Sequence, residues 1–388
     1  MSLPSDSATA VAVPAPDWRR EVSGAFGDLG TLVPYIVAYL VVVGMDAAIV
    51  FLSFGGALLA TGLYYRLPIP VQPMKAIGAA AAAHASQQIV VTPSALALSA
   101  LATAAFWLVA SYSGVAQWAA NAVPKNVTKG VILGVGVALV LEALRQLQAD
   151  WLVGVAMVVA LLALNSRTRI SPFLLVLAAG IAIGAWRHPD LASRVIAAPV
   201  AFALPRWSAP DWGSPELWLV ALLLALPQIP LTFGNAVVGI VEESRRVFPR
   251  SGIDEGRIAK STGWMNLWAG LLGGPPMCHG AGGLAGYLAS GARTGWAVAT
   301  LGLLFICAAL FLRSSITAAL SLIPAAAIGA MLFVVGLYMV IGTAGSNRDK
   351  LERAVLLGTA AVTIWNVGAG LIAGLLLHHG LRRRWFLL

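Results

Sequence analysis

Apolar runs of about 17–25 residues, the length that crosses a bilayer's hydrocarbon core, follow one another along almost the whole chain, and two of them are broken by proline in the same way. The first break reads Pro68-Ile69-Pro70-Val71-Gln72-Pro73-Met74-Lys75-Ala76-Ile77-Gly78 and continues into alanines. The second reads Gly273-Gly274-Pro275-Pro276-Met277-Cys278-His279-Gly280-Ala281-Gly282-Gly283. Proline removes an amide donor and fixes an extended backbone, and it pushes the preceding residue out of the helical region, so neither stretch fits inside a regular helix. Non-helical backbone at membrane depth survives only where protein or a watery cavity covers it. Aligning Pro73-Met74 with Pro276-Met277 places the two breaks about half a chain apart. Paired interruptions in corresponding positions point to the binding site of a secondary transporter.

The composition agrees with a membrane class: the 388 residues are 59% hydrophobic and 11% charged. The expected fold is an all-α polytopic membrane protein of about fourteen spans, near 25–43, 47–65, 71–87, 94–111, 126–145, 150–165, 171–187, 215–241, 258–273, 276–290, 295–312, 321–343, 353–365 and 366–380. Residues 1–18 lack the charged and apolar regions of a signal peptide and are expected to form a disordered tail. The net charge of +9 does not call for a nucleic acid. With the N-terminus in the cytoplasm, nineteen Lys and Arg fall on the inner face and five on the outer, which is the positive-inside pattern of an inner-membrane protein with both ends cytoplasmic. Two cysteines and five scattered histidines supply no ligand set for a metal, and no cofactor is expected.

Internal similarity at one offset near 200 residues suggests duplication. Pro124 and Gly130 are echoed by Pro324 and Gly329, and Asp28–Pro34 more faintly by Gln228–Thr232. An odd number of spans per copy inverts the second copy, so the expected organisation is a first inverted repeat at 19–187, a linker at 188–214 and a second repeat at 215–388. The third and tenth spans would be interrupted, each preceded by a short extended segment.

Helices opening near Met74 and Met277 would aim their unpaired first-turn amides at a common point, an arrangement suited to a small anion. Lys75 adds an intramembrane cation, costly unless used. Around it stand the candidate binding residues Gln72, Met74, Ala76, Met277, Cys278, His279, Gly280 and Ala281. For His279, ligand contact and a structural hydrogen bond weigh equally. Gln228, Thr232 and Asn235 share one helical face, expected to line the cavity. Asp28, with Thr31 one turn on, is the candidate ion-coupling site, its alternatives being a helix cap or a partner for Lys75. Glu142 with Arg145 reads as a structural pair near the outer boundary, and Glu242 and Glu243 with Arg245 and Arg246 as a solvated cluster.

The segments Phe26–Thr31, Pro70–Ala76, Pro227–Thr232 and Cys278–Gly283 resemble those of the molybdate transporters of plants, algae and bacteria, a branch related to the sulfate permeases. The resemblance implies a seven-plus-seven inverted-repeat fold with a core and a gate domain. It also implies an anion bound between the third and tenth spans and coupling through a carboxylate such as Asp28. Many sulfate permeases carry a cytoplasmic regulatory domain after the last span; none is expected here, as in the short molybdate-type members. The leading expectation is a proton-coupled carrier of molybdate, sulfate or tungstate rather than an enzyme. The alternatives are a sulfate, bicarbonate or nucleobase carrier of the same fold, or an uncoupled anion channel; a nucleobase carrier would more naturally place carboxylates where Gln228, Thr232 and His279 stand. The partners expected are the oxyanion, the proton and the lipid bilayer; a homodimer is compatible with the sequence.

Overall fold

Helix boundaries follow from capping chemistry. Asp46, Thr92, Ser171, Ser214, Asp254, Thr294 and Asn366 each accept a backbone N–H from the first turn of the helix that follows. Three of these helices open on a proline, whose missing N–H is no loss at that position. The computed structural model of the chain describes residues 17–75, 77, 91–164, 170–205, 207, 209–343 and 349–383, and within them it is almost entirely helical. By length and apolarity alone, six described helices could cross a membrane, or seven if the bent pair Pro172–Arg187 and Pro189–Ala197 counts as one. Among the described residues fourteen spans are not reached on this criterion, and Trp151–Leu164 and Gly295–Phe311 are apolar but shorter. Part of the expected linker is ordered: Pro189–Ala197 is helical, and Ala201 and Ala203 donate to the carbonyls of Phe311 and Leu310.

Both halves present their elements in the same order. A long irregular helix (Trp18–Val42; Pro215–Val247) leads to a second helix (Ala47–Tyr65; Glu255–Leu272). Each second helix stops at a left-handed residue, Arg66 (φ 54°) and Gly273 (φ 80°). A two-residue strand follows, β1 at Gln72–Pro73 and β2 at Met277–Cys278. Four helices then correspond in turn: Pro93–Tyr112 with Gly295–Phe311, Lys125–Leu147 with Ala325–Thr343, Trp151–Leu164 with Lys350–Trp365, and Pro172–Arg187 with Val367–Arg382.

Packing crosses between the halves. Ala47–Tyr65 lies on Gly295–Phe311, and its counterpart Glu255–Leu272 lies on Pro93–Tyr112. Strands β1 and β2 pair antiparallel with Gln72 opposite Cys278, as a two-fold relation requires. A second self-contact joins Lys125–Leu147 to Ala325–Thr343. There Gly136 and Gly336 face each other, so that a Cβ on Gly336 would lie 2.7 Å from the Gly136 carbonyl. Small residues permit such backbone approach in membrane helices.

Candidate anion site

The site begins with two irregularities in otherwise apolar helices. In Trp18–Val42 a 3-10 segment, Ala25–Asp28, interrupts the helix and delivers Asp28 to the interior. In Pro215–Val247 a π-helical segment, Phe233–Val238, does the same for Asn235. Such insertions often occur at functional positions. Helix Ala281–Ala289 passes the first irregularity closely: a Cβ on Gly286 would lie 2.5 Å from the Gly27 carbonyl. The helix thereby sets its own first turn against Asp28.

A strand's side chains alternate between its faces. Gln72 and Cys278, directly paired, therefore share the face turned toward Asp28, and Gly280 follows two residues on. The Gln72 amide donates to Asp28 Oδ1 at 2.6 Å and also meets the Thr31 hydroxyl, which in turn meets Asp28. Glycine at 280 and 283 makes room for this cluster. A Cβ on Gly283 would sit 2.5 Å from Gln72 Nε2 and 2.7 Å from both Asp28 carboxylate oxygens. On the far side, Gln228 donates to Thr232 at 2.8 Å, and Thr232 lies beside the Cys278 thiol. Lys75, half-buried, opens its helix within electrostatic reach of Asp28 and Cys278. The Asp28 carboxylate is met by Thr31 and Gln72, so its role as an ion-pair partner of Lys75 is not the arrangement found.

Several buried polar atoms here have no hydrogen-bond partner among the described residues: Asp28 Oδ2, Gln72 Oε1 and both polar atoms of the Asn235 amide. Burying such groups unpaired costs free energy, and native structures rarely leave them so without a functional reason. They converge at the N-terminus of Ala281–Ala289, where Gly280, the residue before the helix, is extended (φ −132°, ψ 128°). The first-turn amides of a helix have no intrahelical acceptor.

The other face of the stubs is structural. The His279 Nδ1–H donates to the Pro70 carbonyl at 2.7 Å, and Nε2 lies 2.7 Å from the Ser261 hydroxyl. Both ring nitrogens are thus engaged in hydrogen bonds within the protein. Met74 and Met277 are wholly buried. The second helix does not open near Met277 as expected but at Ala281, because Asn266 holds the preceding backbone extended: its amide accepts from Met277 N–H at 2.9 Å and donates to the Met277 carbonyl at 2.6 Å. The expected site residue Ala76, with Gly78 and the alanines after it, lies outside the described residues.

Away from the site, Glu142 and Arg145 pair at 3.5 Å and are exposed. The expected solvated cluster is instead divided. Arg246 pairs with the nearly buried Glu243, and Arg245 makes a two-pronged bond at 2.9 and 3.1 Å to the buried Glu255. Gln117 also donates to Glu255, at 2.7 Å, so Glu255 joins three helices while the exposed Arg245 and Arg246 still reach water.

Sequence reasoning missed Asn266 and left Asn235 out of the binding set. The available signal was an uncompensated amide in an apolar span, which must find a hydrogen-bonding partner inside the protein.

Known proteins resemble this chain in sequence and in fold. A family described as "Molybdate transporter of MFS superfamily" matches residues 20–139 and again residues 220–339. Molybdate transporter 2 of Arabidopsis thaliana is 29% identical over 400 residues, covering 90% of this chain and 84% of its own. Molybdate transporter 1 of Chlamydomonas reinhardtii is 32% identical over 215 residues, 53% of this chain and 40% of its own. Among solved structures, SLC26A9 is similar with a TM-score of 0.61 at 13% identity, over 92% of this chain and 64% of that one. The transmembrane domain of the cyanobacterium bicarbonate transporter BicA gives 0.55 at 15% identity, over 92% and 97%. At these identities the structural likeness is one of fold. The two matched stretches make up more than half of the chain and contain every residue of the buried cluster, and the chain belongs to the molybdate transporter family.

Proposed function

We propose that this multi-pass membrane protein is a secondary active transporter that moves molybdate together with protons. The observation that carries the reading is the set of unpartnered polar atoms on Asp28, Gln72 and Asn235, gathered at the N-terminus of Ala281–Ala289 with Lys75 nearby. The Asn235 amide, the first-turn amides and the Lys75 ammonium are donors suited to a tetrahedral dianion. Asp28 Oδ2 is an acceptor in the same place. An anion entering beside it is accommodated at least cost when the carboxyl carries a proton and can donate, so proton and anion enter together. Sulfate and tungstate, also tetrahedral dianions, are the expected competitors.

The corresponding element order, the cross-packing of counterparts and a family match that recurs in each half support two inverted seven-span repeats. They would form a core around the stubs and a gate around Gly136 and Gly336, moving against each other to expose the site alternately. The charge bias favours an inner membrane with both termini cytoplasmic.

Uptake of labelled molybdate into proteoliposomes tests this directly. Saturable uptake that is stimulated by an inward proton gradient and inhibited by tungstate and sulfate is expected; inhibition by uracil but not by tungstate would overturn the oxyanion assignment. Asp28→Asn is expected to remove the gradient stimulation, and a variant with wild-type pH dependence would take coupling away from Asp28.

A further inference from the structure

Behind the paired stubs, on the face opposite Asp28, a groove of about 580 Å³ runs between Ala47–Tyr65 and Glu255–Leu272. One wall is kept low by Gly56, Ala57 and Ala60, and the other is built from Trp264, Met265 and Trp268. A Cβ on Gly56 would lie 2.9 Å from the Trp268 ring, which donates to the Ser53 carbonyl, so this ring closes the apolar slot at one end. From Ala57 to Tyr65 the helix rises about 12 Å, enough to line part of an acyl chain.

One end of the groove is cationic. Arg257 lies over the rings of Tyr64 and Tyr65, 5.3 and 5.7 Å from their centres, and Lys260 lies 4.6 Å from that of Tyr112. Among the described residues neither cation makes an ion pair. Their carboxylate neighbours are occupied: Glu255 pairs with Arg245, and Asp254 caps the helix through the Arg257 N–H. Both basic side chains stand on the face to which the positive-inside pattern assigns most of the Lys and Arg. Trp264, Trp268 and Tyr64 are exposed, which opens the slot sideways toward surrounding hydrocarbon.

We propose that this groove binds one anionic phospholipid, with an acyl chain lying along Ala57 and Ala60 against Trp264 and Met265, its end near Trp268, and the headgroup phosphate on Arg257 and Lys260. Charge complementarity selects the headgroup, and the slot's width and length select a chain over a flat protein face. The bound lipid reaches the transport site from behind, because Tyr65 and Ser261 line the groove and hold each other at 2.7 Å, and Ser261 contacts His279. This assignment stands whatever the transported anion.

The test uses delipidated full-length protein in detergent and phosphatidylglycerol or phosphatidylcholine carrying brominated acyl chains, read by tryptophan quenching. Phosphatidylglycerol is expected to quench at lower concentration, and the excess is expected to vanish when Trp264 and Trp268 are both changed to Phe. Arg257→Gln and Lys260→Gln should each weaken phosphatidylglycerol binding about five-fold while leaving phosphatidylcholine unchanged. Ala60→Phe, which fills the slot from an exposed position, should abolish the excess. Native mass spectrometry of the wild type, which needs no variant to fold, should retain one phosphatidylglycerol in preference to phosphatidylcholine. Equal binding of the two lipids, or a headgroup preference that survives the Arg257→Gln/Lys260→Gln double variant, would overturn the proposal. So would a dimer broken by Ala60→Phe in the absence of any headgroup preference, which would give the groove to a second copy of the chain.

Discussion

Strands β1 and β2 occupy corresponding places in the two halves, yet they are held in opposite ways. Asn266 of its own half grips β2 at both the Met277 N–H and the Met277 carbonyl, and His279 braces it from behind against Pro70 and Ser261. Among the described residues, no side-chain amide is bonded to the backbone of strand β1 in this way. This strand is positioned by its pairing with β2, by Met74 N–H donating to the Pro276 carbonyl, and by the side chain of Gln72. The half that is clamped presents Asn235, glycine and helix N-terminal amides to the site, and the half that leans on it presents Gln72 and the charged groups of Lys75 and Asp28.

The largest effect is expected where the two meet. Gly283→Ala puts a methyl group where Gln72 Nε2 and the Asp28 carboxylate now lie, against groups that are fully buried and cannot yield without breaking their own hydrogen bonds. Molybdate uptake should fall to background while the protein remains monodisperse and helical by circular dichroism. Uptake near the wild-type rate would show that the contact is loose and that β1 and Ala281–Ala289 do not act as one unit.

Asn266→Ala attacks the clamp alone. It leaves a buried N–H and a buried C=O of Met277 unpaired, at about 1–3 kcal/mol for each group. A lowered melting temperature, together with a raised apparent KM for molybdate, is expected, because the helix N-terminus is no longer held in register. A Gln72→Ala variant that destabilised the protein as much would erase the distinction between a clamped and a leaning stub.

The distinction was only partly legible in the sequence. Pro70, Pro73 and Pro276 marked where helix could not continue, and the apolar runs placed most of the helices. The spacing near 200 residues was legible because Pro124 and Pro324 head helices that pack against each other. Which face of each stub looked into the site was not, since a two-residue strand carries too little pattern to set its register. His279 and Cys278, adjacent in sequence, consequently fall on opposite faces. The division of Glu243, Glu255, Arg245 and Arg246 into separate pairs was equally hidden, because Glu255 comes from the helix beyond the loop.

Lys75→Ala should have the smallest effect of the three and sharpens the comparison most. Lys75 touches neither clamp nor strand pairing, so its removal should leave the melting temperature nearly unchanged. Only the long-range attraction of an ammonium for a dianion is lost, and that attraction is screened by salt where the side chain reaches water. Apparent KM should therefore rise in the variant, and the difference from wild type should shrink as ionic strength increases. A lower maximal rate with unchanged KM would instead place Lys75 in the moving step. The cation of the unclamped half would then drive the exchange between conformations rather than attract the anion.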